Sequence, residues 1–323
     1  MKYPKTILAA LLCFIPLIPS CAPKEDHRVV RIGHSPNMTH VQALVARNMS
    51  RHGQGWFERY LPEQRVEWCL YNAGPSAMEA IFGRAVDLSY VGPSPAINAY
   101  DVSKGAELSL MAGAVDGGAA LLVAPQSGIN TPTDFKGKTI ATPQLGNTQD
   151  VTCRAWLKAQ GHSSTLEGKG DVRISPSPSS MQAQLMSDGY IHASWTVEPW
   201  VSIIQSKTGA RVFLDEPDAV TTILVGRKAW LKQHPDLAKR MLQAHRELTE
   251  WIIANPEEAQ RMMTDELSHL TQSPADLELI KQAWARLTLT TAIDTTQLEQ
   301  FIKAAQALDL LGDVAPVQEM IYT

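Results

Sequence analysis

Residues 140–150 read IATPQLGNTQD. Ile140, Ala141 and Thr142 have strand character, Pro143 ends it, and a helical pattern of Val151, Ala155, Trp156 and Leu157 follows. The handover runs through small and amide side chains, with no charge before Asp150. A helix start offers unpaired backbone N–H groups and about half a unit of positive charge from the helix dipole. Small residues such as Gly146 and Thr148 would let a ligand reach that backbone, so the loop suits an anion without needing a lysine. It suits a neutral polar ligand equally. Taken alone, Asn147 or Thr148 reads as an N-cap contributing ~1 kcal/mol to its helix.

The same strand–loop–helix unit recurs along the chain. Strand signals fall at Val29–Ile32, Val66–Leu70, Val86–Val91, Leu108–Ala114, Ala120–Ala124 and Lys138–Thr142, then at Val172–Ile174, Ile191–Trp195, Arg211–Leu214 and Thr222–Val225. Helical patterns lie between them, for example His40–His52, Ser76–Gly83 and Gln149–Gln160. Alternation of this kind predicts an α/β fold with mainly parallel sheets flanked by helices. From Arg227 onward the pattern is read as helices only: Pro235–Asn255, one opening at Pro256, and two more opening at Ser273-Pro274 and Asp294.

The pattern breaks at Val115–Gly118 and again at Asp215–Asp218. A chain that leaves one lobe, builds a second and returns would cross twice, at residues able to absorb a hinge rotation. This predicts a first lobe of residues 28–115 plus 222–323 and an inserted second lobe of residues 116–221.

The ends and the composition bound the function. Lys2 and Lys5 precede the apolar run Ile7–Ile18, followed by Pro19-Ser20-Cys21. That is the plan of a secretion signal, residues 1–20. The run is shorter than the ~20 residues of a membrane-spanning helix. A cysteine after a small residue at its end resembles a bacterial lipoprotein signal, with Cys21 as the lipidated residue; plain cleavage nearby is the alternative. Cleavage would take the formal net charge from −4 to −6, a poor balance for nucleic acid. Cys69 and Cys153 would remain, read as two buried free thiols.

Ligands of parallel α/β sheets bind outside the carboxyl ends of strands. The loops there are His34–His40, Gly92–Ala96, Asp116–Gly118, Pro143–Gln149 and Ser194–Trp200, each rich in small or amide residues. Five such loops together favour binding over capping. Trp195 is read as a wall or lid of the site and Glu198 as a helix-terminal carboxylate or a ligand contact. His34 and His40 have no Cys, Asp or Glu neighbours in their loop, so no metal is expected. No nucleophile elbow, phosphate loop or dinucleotide fingerprint is present in the sequence, so no catalytic residue and no cofactor is expected.

Four stretches carry a family resemblance: Pro36–His40, Phe82–Ala96, Phe135–Pro143 and Ala193–Trp200. With the lipoprotein signal, they resemble the solute-binding lipoproteins of bacterial ABC importers, in the nitrate, taurine and aliphatic-sulfonate group. The resemblance implies the two-lobed type II periplasmic binding protein fold with a C-terminal helical segment, and closure over a small solute. It implies ligand contacts from Ser35, Pro36, Asn37, Ser94, Gly117, Gly118, Gly146, Asn147, Thr148, Gln149, Trp195 and Glu198. It further implies a monomer, lipid-anchored on the periplasmic side of a membrane, that serves an ABC permease and ATPase. The solute is read as an alkanesulfonate or taurine, then a nitrate-type oxyanion, then a thiamine-precursor pyrimidine stacked on Trp195. A sensor and a pyrimidine-synthase-like enzyme are the competing functions. The Pro/Ser-rich run Ser175–Ser180 departs from the family pattern, and so do the candidate loops in lacking a clear Arg or Lys.

Overall fold

The computed structural model describes residues 28–323, so the basic-apolar leader and Cys21 lie outside the described residues. The chain opens with β1 (Val29–His34), a short helical turn at Met38–His40, α1 (Val41–Arg51), α2 (Trp56–Tyr60) and β2 (Arg65–Leu70). It continues through α3 (Gly74–Phe82), β3 (Leu88–Val91), α4 (Pro93–Val102) and β4 (Leu108–Gly117). A second group follows: β5 (Ala119–Val123), β6 (Thr139–Thr142), α5 (Thr148–Ala159), β7 (Arg173–Pro176), α6 (Ser179–Ser187), β8 (Ala193–Val197), α7 (Trp200–Thr208) and β9 (Arg211–Glu216). The chain then returns through β10 (Val220–Arg227) to α8 (Lys228–Gln233), α9 (Pro235–Ala254), α10 (Pro256–Thr271) and α11 (Leu277–Trp284). It ends with β11 (Leu287–Leu289), α12 (Thr295–Gln306) and α13 (Val317–Met320).

Two sheets result. The first has strand order β11-β4-β10-β3-β1-β2 and the second β7-β6-β8-β5-β9. Both are mixed, which corrects the expectation of mainly parallel sheets. The crossover units keep β1 parallel to β2 and β3, and β6 parallel to β7 and β8. The returning strand β10 enters between β3 and β4 antiparallel to both. In the second sheet β5 likewise runs antiparallel to β8 and β9. The chain leaves the first sheet on β4 and returns on β10, and enters the second on β5 and leaves on β9, so each neighbouring pair runs in opposite directions.

Each sheet is covered on both faces. On the first, Ile32, Leu88 and Leu224 meet Leu44, Met241 and Met263 of α1, α9 and α10. The opposite face, with Val91, Leu110 and Val225, meets Ile81, Ile97, Leu298 and Met320 of α3, α4, α12 and α13. On the second sheet, Leu121, Ile140 and Trp195 pack with Cys153 and Leu157 of α5. Ala120, Leu122 and Ala141 pack with Ala183, Met186, Val201 and Ile204 of α6 and α7. Strand β10 is buried along its whole length because it sits centrally and is covered on both faces.

Two details of the C-terminal segment differ from the sequence reading. It is not purely helical: Leu287–Leu289 adds an edge strand antiparallel to Val115–Gly117. Three residues are too few to show any periodicity. The helix expected at Ser273-Pro274 begins instead at Leu277, where Asp276 accepts bonds from the Glu278 and Leu279 N–H groups. Cys153 is buried, whereas Cys69 is only half-buried on the first sheet's edge strand β2; both are free thiols. Among the described residues no helix is long and apolar enough to cross a membrane.

Candidate functional site

The loop that opens α5 is built around Asp150. Its carboxylate accepts from Thr142 Oγ1 at 2.9 Å and from the Gly146 N–H at 3.1 Å, and Arg154 Nε donates to it at 3.0 Å. Arg154 and Asp150 are a turn apart on α5 and both are buried, so the negative charge beneath the loop is matched at once. Asn147 is the N-cap, its Oδ1 accepting from the Asp150 N–H at 2.9 Å. The Asn147 amide then donates to Gln149 Oε1 at 3.0 Å. This scaffold leaves the Thr148 and Gln149 N–H groups and the Gln149 amide N–H₂ without acceptors among the described residues. Gly146 has φ +75°, which favours glycine, and the space beside its Cα is open.

The first sheet presents its own loops to this one. Strands β1 and β3 are adjacent and parallel, so the loops at Ser35–His40 and Gly92–Ser94 leave neighbouring carboxyl ends. Ser94 Oγ donates to the Gly146 carbonyl at 3.0 Å, and the Ser94 N–H donates to Thr148 Oγ1 at 3.3 Å. The starts of α4 and α5 thus meet across the gap between the sheets. Helix α4 has few donors to offer there, because Pro93 and Pro95 have no N–H and Ser94 uses its own. In the loop after β1, Trp200 Nε1 donates to Asn37 Oδ1 at 2.9 Å and the Met38 N–H donates to the Glu198 carbonyl at 3.0 Å. The Ser35 and Thr39 hydroxyls, on residues 4 % and 2 % exposed, have no partner among the described residues.

His34 and His40 are buried as neutral imidazoles. His34 Nδ1 donates to the Ser35 carbonyl, and its Nε2 accepts from Arg47 at 3.1 Å. Burial first, then the Arg47 charge, lowers the His34 pKa to about 3. Burial and the neighbouring His34 lower His40 to about 3 as well. Among the described residues no group of three His, Cys, Asp or Glu side chains is placed to hold a metal ion.

The structure sorts the expected site residues. Ser94 meets Gly146 and Thr148, with Asn147 and Gln149 in the same α5 start, while Asn37 meets Trp200 at a second contact, with Ser35 buried and Pro36 half-buried in its loop. Trp195 is not a wall of that region, which corrects the expectation. It is 0 % exposed in the second sheet's core, edge-on to Trp156 at 5.9 Å, with Nε1 donating to Glu216 at 2.7 Å. The alternation along β8 explains this, because Ala193 and Trp195 face α5 while Ser194 and Thr196 face α6. Gly117 and Gly118, both at φ +75°, serve the crossing between sheets. A Cβ on Gly117 would lie 2.5 Å from the Arg286 carbonyl and 2.7 Å from that of Pro217, so no ligand fits beside it. Gly118 packs on Leu287, with Thr39 next to it.

Glu198, fully buried, holds the start of α7. Its carboxylate accepts from the Ser202 N–H and hydroxyl at 3.1 and 3.0 Å, and Arg286 Nε lies 3.3 Å away. Burial pushes its pKa up, while Ser202 and Arg286 pull it back. Arg286 also reaches Asp215 at 2.8 Å, so one side chain of the C-terminal segment ties to two points of the second sheet. Sequence reasoning missed this residue, which no local pattern marks. The buried Asp150–Arg154 pair was also missed, although its spacing of four on a helix was a usable signal. A cavity of about 150 Å³ opens beside the Ser94–Gly146 contact, lined by Leu145, Leu166, Phe301 and Leu311 among others. Of the expected site residues, only Ser94 and Gly146 touch it.

The same fold occurs in solved binding proteins. The alkanesulfonate-binding protein SsuA from Xanthomonas axonopodis pv. citri, bound to MOPS, superposes with TM-score 0.73 at 17 % identity, covering 93 % of this chain and 99 % of that one. The periplasmic nitrate-binding protein NrtA from Synechocystis PCC 6803 gives TM-score 0.71 at 15 % identity, covering 90 % and 84 %. In sequence, a Bacillus subtilis protein named as a candidate aliphatic sulfonates-binding protein is 25 % identical over 315 residues, 85 % of this chain and 90 % of its own. The profile of the NMT1-like family matches residues 23–265, three quarters of the sequence, and the chain belongs to that family.

Proposed function

We propose that this protein is the extracytoplasmic solute-binding component of an ABC importer, and that it captures a small anionic solute of the alkanesulfonate and taurine class between two lobes. The observation that carries the reading is the donor set at the α5 start. The Thr148 and Gln149 N–H groups are held open by a scaffold that uses the other polar groups around them. The Ser35 and Thr39 hydroxyls, in the loop after β1, have no partner among the described residues. All are neutral donors, so an anion is held by N–H and O–H groups and by the helix dipole. Relatives named for aliphatic sulfonates and for nitrate fit an anionic solute. The pyrimidine alternative depended on stacking by Trp195, whose indole is enclosed in the core.

In this reading the lobes are residues 28–115 plus 222–323 and residues 116–221, hinged at the crossings by Gly117-Gly118 and Pro217–Ala219. Closure buries the solute and forms the surface that a permease and its ATPase recognise. No bond of the solute is made or broken. The protein works as a monomer tethered through a lipid on Cys21 at the periplasmic side of a membrane. Nucleic acid has no part in it.

The test is thermal melting of the chain from Ala22 onward against ethanesulfonate, taurine, nitrate, bicarbonate and pyrimidines. A solute at ~100 times its Kd adds about 2.7 kcal/mol to the folded state. A shift with sulfonates alone is the expected outcome. A shift with pyrimidines alone, or none with any compound, would sink the anionic-solute reading.

A further inference from the structure

We infer that His40 is a further solute-recognising residue of this site, its Nε2–H donating to an oxygen of the solute's anionic group; the inference rests on the proposed anion-binding function. The geometry begins inside the loop after β1. The Ser35 N–H donates to His40 Nδ1 at 3.2 Å, which makes Nδ1 the acceptor and leaves the ring proton on Nε2. The ring is therefore held in one tautomer by backbone only five residues away. Its second nitrogen turns away from that backbone, and no group among the described residues accepts its proton. His40 is nonetheless 5 % exposed. An N–H on a largely buried ring, with no protein acceptor, is suited to an acceptor that a ligand brings.

The surroundings indicate which partner. His40 follows Thr39 and precedes α1, in the loop whose Asn37 reaches Trp200 at the start of α7. The neighbouring strand β3 leads through Gly92 into α4, whose Ser94 touches both Gly146 and Thr148. The β1 loop meets the α7 start through Asn37 and Met38, and the α4 start meets α5 through Ser94, so the solute's anionic group is seated, in this inference, between the β1 loop and the open N–H groups of Thr148 and Gln149. His34 cannot substitute, because both its ring nitrogens are already engaged. His245 is likewise occupied, by Tyr90 and the Gly113 carbonyl. Among these three buried rings His40 alone keeps a free donor. As a neutral imidazole it supplies direction without charge, and it discriminates oxyanions by the position of their acceptor atoms rather than by net charge.

The experiment combines affinity with a signal from the ring itself. Ethanesulfonate, taurine and nitrate are titrated separately into the full mature chain, and His40→Phe and His40→Gln are compared with the wild type. Gln keeps a donor at similar reach, and Phe keeps ring volume without one. The expected result is a tenfold to hundredfold weaker Kd for Phe, recovered to within about threefold by Gln. In parallel, nitrogen-15 spectra of the histidine rings in the wild type should show His40 protonated at Nε2 and its Nε2–H moving on saturation, while His245 stays fixed. This second arm decides the matter if His40→Phe fails to fold. A wild type that binds a solute with the His40 ring signal unmoved, or a His40→Phe chain that binds equally well, overturns the assignment and leaves the importer reading intact. A wild type silent toward all three probes removes the anionic-solute reading first, and the assignment falls with it.

Discussion

Trp195 illustrates how much a single residue's role depends on the face of the strand it occupies. Its indole fills the second sheet's core and satisfies Glu216, whose own pKa burial pushes up. Trp195→Ala should therefore cost about 3–5 kcal/mol of unfolding free energy, as large aromatic truncations in cores do, read as a lower urea midpoint. A loss below about 1 kcal/mol would mean the indole is not a core residue. Asp116, on β4 beside the crossing, is a second case. Partial burial and then the nearby Asp294 and Asp218 raise its pKa from the ordinary 3.8 to about 6. The folded state binds this proton more tightly than the unfolded chain, so its contribution is full below pH 4 and is lost as pH rises through 6. Asp116→Asn should leave stability unchanged near pH 3.5. At pH 7.5 it should stabilise by about 1 kcal/mol, a figure discounted for solvent exposure. Equal effects at both pH values would refute the shift.

At the scale of elements, the start of α5 and the segment before β11 do different jobs. The α5 loop was legible from residues 140–150 alone, because strand end, proline, small residues and N-cap follow one another locally. Arg286 was not legible, since its meaning comes from Glu198 and Asp215, each more than seventy residues earlier in sequence. Arg286→Ala removes the cation beside a fully buried carboxylate and should cost about 2 kcal/mol, less than a fully enclosed pair because Ser202 still serves Glu198. Chemical denaturation would measure it, and a neutral result would show that Ser202 suffices. The edge strand β11 was invisible for the same reason as Arg286: three residues become a strand only because β4 lies alongside them.

For the whole molecule, two mixed sheets joined by short crossings bring loops from both halves into contact at Ser94, Gly146 and Thr148. The leader lies beyond the described residues, so its role is tested in cells. Cys21→Ala should release the protein from the membrane fraction while its solute affinity stays within about twofold, since the described residues hold the whole candidate site. Persistence of that variant in the membrane fraction would remove the proposed lipid anchor. By itself the sequence determined the α/β alternation, most strand positions and the small-residue loops at the strand ends, because each is written in neighbouring residues. Only the tertiary structure decided the antiparallel entry of β10, the burial of Trp195, the crossing role of Gly117 and the free nitrogen of His40. Those depend on which distant backbone lies beside a residue, and on which face of it, a relation set by packing rather than by local pattern.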